Sequence, residues 1–191
     1  IMENYKKNLE LLTKNYVYSK EMEHDACGVG LIASTEGKKS RQIVEYGIEA
    51  LKAVWHRGAV DADGKTGDGA GIHVEIPKDF FIEKIEVTGH KYDNAEICVG
   101  MIFLPRNDYA SQENCKTIVE SELTKNNFNI YGWRQVPVNP KVLGEKAFQT
   151  MPEIIQVLFK SNNSDLLNKE LERKIYETRR KIENSAFNAS L

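Results

Sequence analysis

The chain has 191 residues, enough for one domain with a sizeable core, and 41% hydrophobic with 28% charged residues is ordinary soluble-globular composition. A net charge of −2 gives no electrostatic reason to expect nucleic acid or an anionic membrane as a partner. No apolar run approaches the ~20 residues that span a bilayer, and the lysine-bearing N-terminus has no secretory h-region, so a cytoplasmic protein is expected.

Residues 1–26 read as a separate leader. Leu9, Leu11, Leu12 and Tyr16 give a short, weak helical stripe, followed by the acidic, turn-like Glu21–Asp25. Such a piece suits a docking arm or a removable propeptide. Gly28–Ser34 reads as a strand, apolar enough for burial on two sides. A turn at Thr35–Lys38 follows. Ser40 is a plausible N-cap for a helix reaching Trp55, with Ile43, Val44, Ile48, Leu51, Val54 and Trp55 near a 3.6-residue period. Gly58 is expected to end it, since glycine tolerates positive φ. Asp61–Gly69 is loop chemistry, and Ala70–Ile76 is expected as a second strand stopped by Pro77.

Phe80, Phe81 and Ile85 outline a short amphipathic helix. Ile97–Leu104 is a nearly continuous apolar run, read as a buried strand. A helix over Tyr109–Leu123 carries Cys115, Ile118, Val119 and Leu123 on one face. Phe128–Val138 and Ile154–Phe159 read as strands. Asp165–Glu183 reads as a charged helix with the stripe Leu167, Leu171, Ile175 and Ile182. Its expected i,i+4 pairs are Glu170/Lys174 and Glu177/Lys181. Asn184–Leu191 reads as the onset of another element, so the chain is expected to stop within its domain. The whole is a mixed α and β domain without repeats.

Three short runs carry the chemistry. They are His24-Asp25-Ala26-Cys27-Gly28-Val29-Gly30, His56-Arg57-Gly58-Ala59 and Thr66-Gly67-Asp68-Gly69-Ala70-Gly71-Ile72. A thiol with pKa about 8.5 needs a base or a field to become a thiolate. The four histidines are His24, His56, His73 and His90, and His24 lies upstream of the strand. Another route needs no histidine. Cleavage of the Ala26–Cys27 bond gives Cys27 its own α-amine, with a pKa of about 7.7–8.0, suited to act as the base. Gly28 would then leave the backbone beside the nucleophile open to substrate. The plainer reading of Cys27 is a small buried hydrophobe at a strand start.

Cys98 and Cys115 read as core residues. No Cys-x-x-Cys pair exists, so neither a structural zinc site nor an iron–sulfur cluster is encoded here. At His56-Arg57-Gly58 the plain reading is cations complementing a helix C-terminus. The functional one has the Arg57 guanidinium ordering backbone carbonyls or a substrate carboxylate near the nucleophile. The glycine-rich third run lacks a Gly-Lys-Ser/Thr ending and precedes a strand, which speaks against phosphate binding. A tight turn letting two backbones approach is the better account.

Together the three runs resemble the class II, N-terminal-nucleophile glutamine amidotransferase domains, and within that family the opening of glutamate synthase large subunits. The likeness continues loosely through Val136–Gly144 and Pro152–Phe159 and covers most of residues 21–191. It implies an α+β, Ntn-hydrolase-like αββα sandwich of antiparallel sheets between helices, incomplete in this chain. It implies a propeptide at 1–26 and the N-terminal portion of the amidotransferase domain at 27–191. By this resemblance Cys27 attacks the glutamine side-chain amide through a glutamyl thioester, and Arg57, beside it, helps order the glutamine pocket. The ammonia aminates 2-oxoglutarate to glutamate. The parent protein would carry FMN and an iron–sulfur cluster, neither in this segment, with NAD(P)H or ferredoxin as electron donor. Its partners would be glutamine, the remainder of the large subunit, and a small subunit or ferredoxin.

The family's His-Asn-Gly-Glu run, whose Asn-Gly pair forms the oxyanion hole, is not in this sequence, nor are its carboxylate-binding arginine and aspartate. An oxyanion hole supplies a factor of about 10²–10³, so this chain alone is expected to be nearly inactive. The alternatives are the glutaminase domain of another class II amidotransferase, or a non-catalytic interaction module of the same fold.

Overall fold

The computed structural model describes Lys7, Lys14, residues 28–55, residues 58–163, Leu166 and residues 168–191. The leader's helical stripe therefore lies outside the described residues. The chain forms two compact units, one of Ile1–Ala59 with Asp68–Ile72, the other of Val60–Gly67 with His73–Leu191.

In the first unit, helix α1 spans Arg41–Ala53, and the Ser40 hydroxyl accepts a hydrogen bond from the Ile43 N–H at 3.4 Å, the expected cap. The helix ends two residues before Trp55. Val54 (φ −93°, ψ 8°) leaves the helical region, and the Trp55 carbonyl accepts from the Gly58 N–H at 2.9 Å. Gly58 is not among the positive-φ residues, so its expected left-handed cap is absent. No residue of α1 is buried. The turn at Thr35–Lys38 forms, with Gly37 at φ +66°. Gly28–Ser34 is not a strand; it has no ladder partner among the described residues, and Val29 and Leu31 are 92% and 89% exposed.

The second unit holds the core. Its sheet contains β1 (Cys98–Leu104), β2 (Phe128–Gln135) and β3 (Glu153–Ser161) in the order β1-β3-β2, all antiparallel. The central strand β3 is paired on both edges and buried on both faces, which is why Ile154–Phe159 is an apolar run rather than an alternating one. Val157 and Phe159 pack with Cys98 and Phe128 against Val119 and Leu123 of α3 (Tyr109–Lys125) and Leu171 of α5 (Asn168–Asn188). Between them Leu158 faces the other way, into a second cluster with Ile97, Tyr131, and Phe81 and Ile85 of α2 (Lys78–Val87). A short helix, α4 (Glu145–Thr150), precedes β3.

Several expectations shift in detail. Ala70–Ile76 forms no strand, again without a ladder partner among the described residues. β1 is buried at its ends, but Met101 and Phe103 are 50% and 63% exposed. Helix α5 begins at Asn168 and runs to Asn188, so Asn184–Leu191 completes this helix rather than opening a new element. Its stripe stands, with Leu171 buried and Ile175 and Ile182 packed on the core, while Leu167 lies outside the described residues. Its predicted ion pairs are replaced. The Lys174 ammonium lies 5.1 Å over the Phe128 ring, Lys181 donates to Asn126, and Arg173–Glu177 and Arg179–Glu183 form instead. Among the described residues no helix is long and apolar enough to cross a membrane.

The architecture is a mixed one, helices with a three-stranded antiparallel sheet, compatible with an incomplete Ntn-hydrolase-like fold.

Candidate active site

Two of the predicted site residues, Cys27 and Arg57, lie outside the described residues, with His24, Asp25, Ala26 and His56. Gly28 is described, in exposed backbone without regular structure. The geometry on hand is therefore that of the chain after the second run and around the third.

In the first unit the end of the second run is tied to the third. The Ala59 N–H donates to the Asp68 carboxylate at 2.8 Å. In the second unit Val60 and Gly67 form an antiparallel bridge, and the Asp61 N–H donates to the Thr66 carbonyl at 2.7 Å. The tight turn expected of the glycine-rich run falls ahead of it, at Asp61–Gly64; within the run Gly67 pairs with Val60, while a Cβ on Gly69 or Gly71 would meet open space.

The tip of the loop is built by aspartates. The Gly64 N–H closes a turn on the Asp61 carbonyl at 2.9 Å, with Gly64 at φ +68°. The Asp63 carboxylate accepts from the Thr66 hydroxyl at 2.5 Å and from the amides of Thr66 at 2.7 Å and Lys65 at 2.9 Å. The Thr66 hydroxyl, then these amides, hold the Asp63 carboxyl down at about 2. It stays a carboxylate at any physiological pH.

This tip meets residues 144–146. A Cβ on Gly144 would lie 2.5 Å from the Thr66 nitrogen, and closer still to the Thr66 hydroxyl and the Asp63 carboxylate. No side chain fits there. The Lys146 ammonium pairs with Asp61 at 2.5 Å. The sequence had marked Asp61 and Asp63 as loop formers and Gly144 as the end of a loosely matching run. Nothing in local pattern announces that these partners meet across some 80 positions.

Elsewhere in the second unit a polar cleft of about 470 Å³ is lined by Arg106, Tyr109, Gln112, Lys116, Gln135 and Glu153 among others. It contains none of the predicted site residues. The buried Gln112 amide donates to the Pro105 and Arg106 carbonyls, and Gln135 donates to Glu153, so its walls are largely self-satisfied. Cys98 and Cys115 are free cysteines; Cys98 is buried in the core as expected, whereas Cys115 is only half-buried and lies outside both core clusters. Burial pushes the Cys98 thiol up to about 12 and raises that of Cys115, which disfavours the thiolate in both.

The family of class-II glutamine amidotransferases matches this chain over residues 27–190. The chain belongs to that family. It is 52% identical over 180 residues to the glutamate synthase (NADPH) large chain of Azospirillum brasilense, a match covering 94% of this chain and 12% of that relative. It is 39% identical over 174 residues to the ferredoxin-dependent glutamate synthase of Pyropia yezoensis, covering 91% of this chain and 11% of the relative. A chloroplastic ferredoxin-dependent glutamate synthase 2 of Arabidopsis thaliana is 38% identical over 169 residues. The chain thus spans about one eighth of the length of the first of these relatives.

Proposed function

We propose that this chain is the opening part of the glutaminase domain of a glutamate synthase large subunit, with residues 1–26 a propeptide and Cys27 the nucleophile. The observation that carries the reading is that the family match begins at residue 27, the cysteine itself. The likeness to glutamate synthases over more than nine tenths of the chain supports the parent.

The chemistry follows from an exposed α-amine on Cys27. The amine takes the thiol proton, and the thiolate attacks the side-chain carbonyl carbon of glutamine. The ammonium so formed returns its proton to the leaving nitrogen as the C–N bond breaks. Ammonia departs and a γ-glutamyl thioester remains. Water, deprotonated by the same amine, cleaves the thioester and releases glutamate. By the family resemblance Arg57, a planar cation, would order the glutamine pocket, and Gly28 would leave room for the incoming amide.

The ammonia would aminate 2-oxoglutarate elsewhere in the parent protein, in the cytoplasm, with electrons from NAD(P)H or ferredoxin. FMN and an iron–sulfur cluster are part of that reading. A cluster takes thiolate ligands grouped around it, and the two described cysteines, Cys98 and Cys115, belong to no such group among the described residues. We assign those groups, and a small subunit or ferredoxin partner, to the remainder of the large subunit and its surroundings.

The test is the intact mass and glutaminase activity of the full-length protein from its native host. A mature chain beginning at Cys27 that releases ammonia from glutamine is expected, with Cys27→Ala losing both leader removal and ammonia release. An active wild-type protein that retains residues 1–26, or a Cys27→Ala variant that still hydrolyses glutamine, would sink the mechanism.

A further inference from the structure

We propose that Asp63, Thr66 and Gly144 form a latch that holds the loop between the second and third motifs in the shape glutamine binding requires, which makes all three positioning residues. The inference rests on the glutaminase reading and names residues which that reading does not include.

The loop Val60–Gly67 needs no distant partner to close. Its bridge, its Asp61–Gly64 turn and the Asp63 carboxylate already satisfy it locally. Yet its tip is pressed onto the backbone at Gly144 so closely that the smallest side chain there would collide with three atoms of Asp63 and Thr66. The Asp61–Lys146 pair repeats the attachment two residues along. A surface loop with self-sufficient hydrogen bonding ordinarily tolerates insertion and drift. One fixed by side-chain, backbone and charge contacts to a segment far away in sequence is held in place for a reason.

The reason lies at its ends. Val60 and Gly67 are joined by single peptide bonds to Ala59 and Asp68, which are themselves hydrogen-bonded at 2.8 Å. Ala59 is two residues from Arg57, the residue assigned to the glutamine pocket. Asp68 opens the remainder of the glycine-rich run. Movement of the loop would displace its covalent neighbours, Ala59 and Asp68, with which the two motifs end and continue. A shift of about 1 Å in a positioned group is enough to lower a rate constant about 10²-fold.

The experiment uses the full-length protein and measures ammonia release against glutamine concentration, with melting temperature alongside. Gly144→Ala is expected to lower kcat/KM about 10²-fold, chiefly through KM. Thr66→Val removes only the hydroxyl that Asp63 accepts from. It should move KM in the same direction with an unchanged melting temperature, and Thr66→Ser should restore the wild-type KM. Gly132→Ala, which crowds Thr88 in the same unit but touches no motif, should lower the melting temperature and leave KM alone. The latch is overturned if Thr66→Val keeps wild-type kinetics, even where Gly144→Ala loses activity, because that pattern marks a packing role. A wild-type protein that releases no ammonia instead overturns the glutaminase reading and the latch's link to glutamine with it.

Discussion

Four apolar runs in this chain look alike as sequence, and two become strands, Ile97–Leu104 giving β1 and Ile154–Phe159 lying within β3. Ile154–Phe159, inside β3, has a hydrogen-bonded neighbour on each edge and an apolar cluster on each face. Gly28–Ser34 and Ala70–Ile76 have no ladder among the described residues, and only Ile76, at the end of the latter, reaches a core cluster. Val29 and Leu31 stand almost fully exposed, and Ile72 and Val74 are 46% and 44% exposed. The difference teaches that an apolar run encodes a demand for burial, and that the strand follows only where a partner meets the backbone groups. The two units differ in the same way. One carries two buried clusters around β3, and the other a capped helix with no buried residue.

The comparison breaks first by cutting into each region. Phe128 is 1% exposed, stacks edge-on against Phe159 at 5.2 Å, and anchors the cluster under α3 and α5. Phe128→Ala is expected to destabilise the sheet unit by about 3–5 kcal/mol, the range for emptying a buried aromatic site. Leu31→Ala, at an exposed position, should stay within about 0.5 kcal/mol. Urea unfolding of the 191-residue chain, followed by tryptophan fluorescence, reads both. Equal losses in the two variants would show that Gly28–Ser34 is packed after all.

What could be read from the sequence follows the same line. Helices whose stripes face the core were legible because their partners lie on the same period, as with Val119 and Leu123 in α3 or Leu171 and Ile175 in α5. Strands were legible where both faces are covered within the chain. The ends were less so. α1 stops before Trp55 because Val54 leaves the helical basin, and α5 runs on past Glu183 because Asn184–Asn188 adds its own helical turn. The motifs of the candidate site were legible through family resemblance, and the family match over residues 27–190 agrees. The contact of Gly144 with Asp63 and Thr66 was not legible. Its necessity comes from two backbones meeting in space, and a glycine before a helix reads as an ordinary start.

A second cut is smaller and tests the sheet unit at its bulge. The β2–β3 register shifts between Ile130 and Gly132, and Gly132 sits at φ +147°. A Cβ there would come within 2.8 Å of the Thr88 methyl. The Thr88 hydroxyl lies 2.6 Å from the Ile85 carbonyl and 2.8 Å from that of Tyr131, so it joins the end of α2 to β2. Gly132→Ala must push this threonine aside, at a cost of about 1–3 kcal/mol typical of overpacking. Differential scanning calorimetry checks it. An unchanged melting temperature would mean that the bulge yields freely.

The smallest effect is an acid one, confined to the sheet unit. Asp93 accepts from Lys160 and from the Tyr131 hydroxyl, and these two hold its carboxyl down at about 2. The Lys160 ammonium also lies 5.7 Å over the Tyr131 ring. Because the folded pKa is below the unfolded value of about 3.9, the stabilisation is fully present above about pH 4 and is lost as pH falls toward 2. Asp93 is 46% exposed, so solvent screens the interaction and the loss is modest. Asp93→Asn should therefore lower the urea midpoint slightly at neutral pH and flatten its decline below about pH 4. The flattening will be partial, since the carboxyls of Asp63 and Asp108 are held low as well. A variant whose midpoint falls as steeply as that of the wild type would remove Asp93 as a source of the acid response. That would leave the Asp63 loop and the Asp108 cap of α3 as the places where acid loosens this unit.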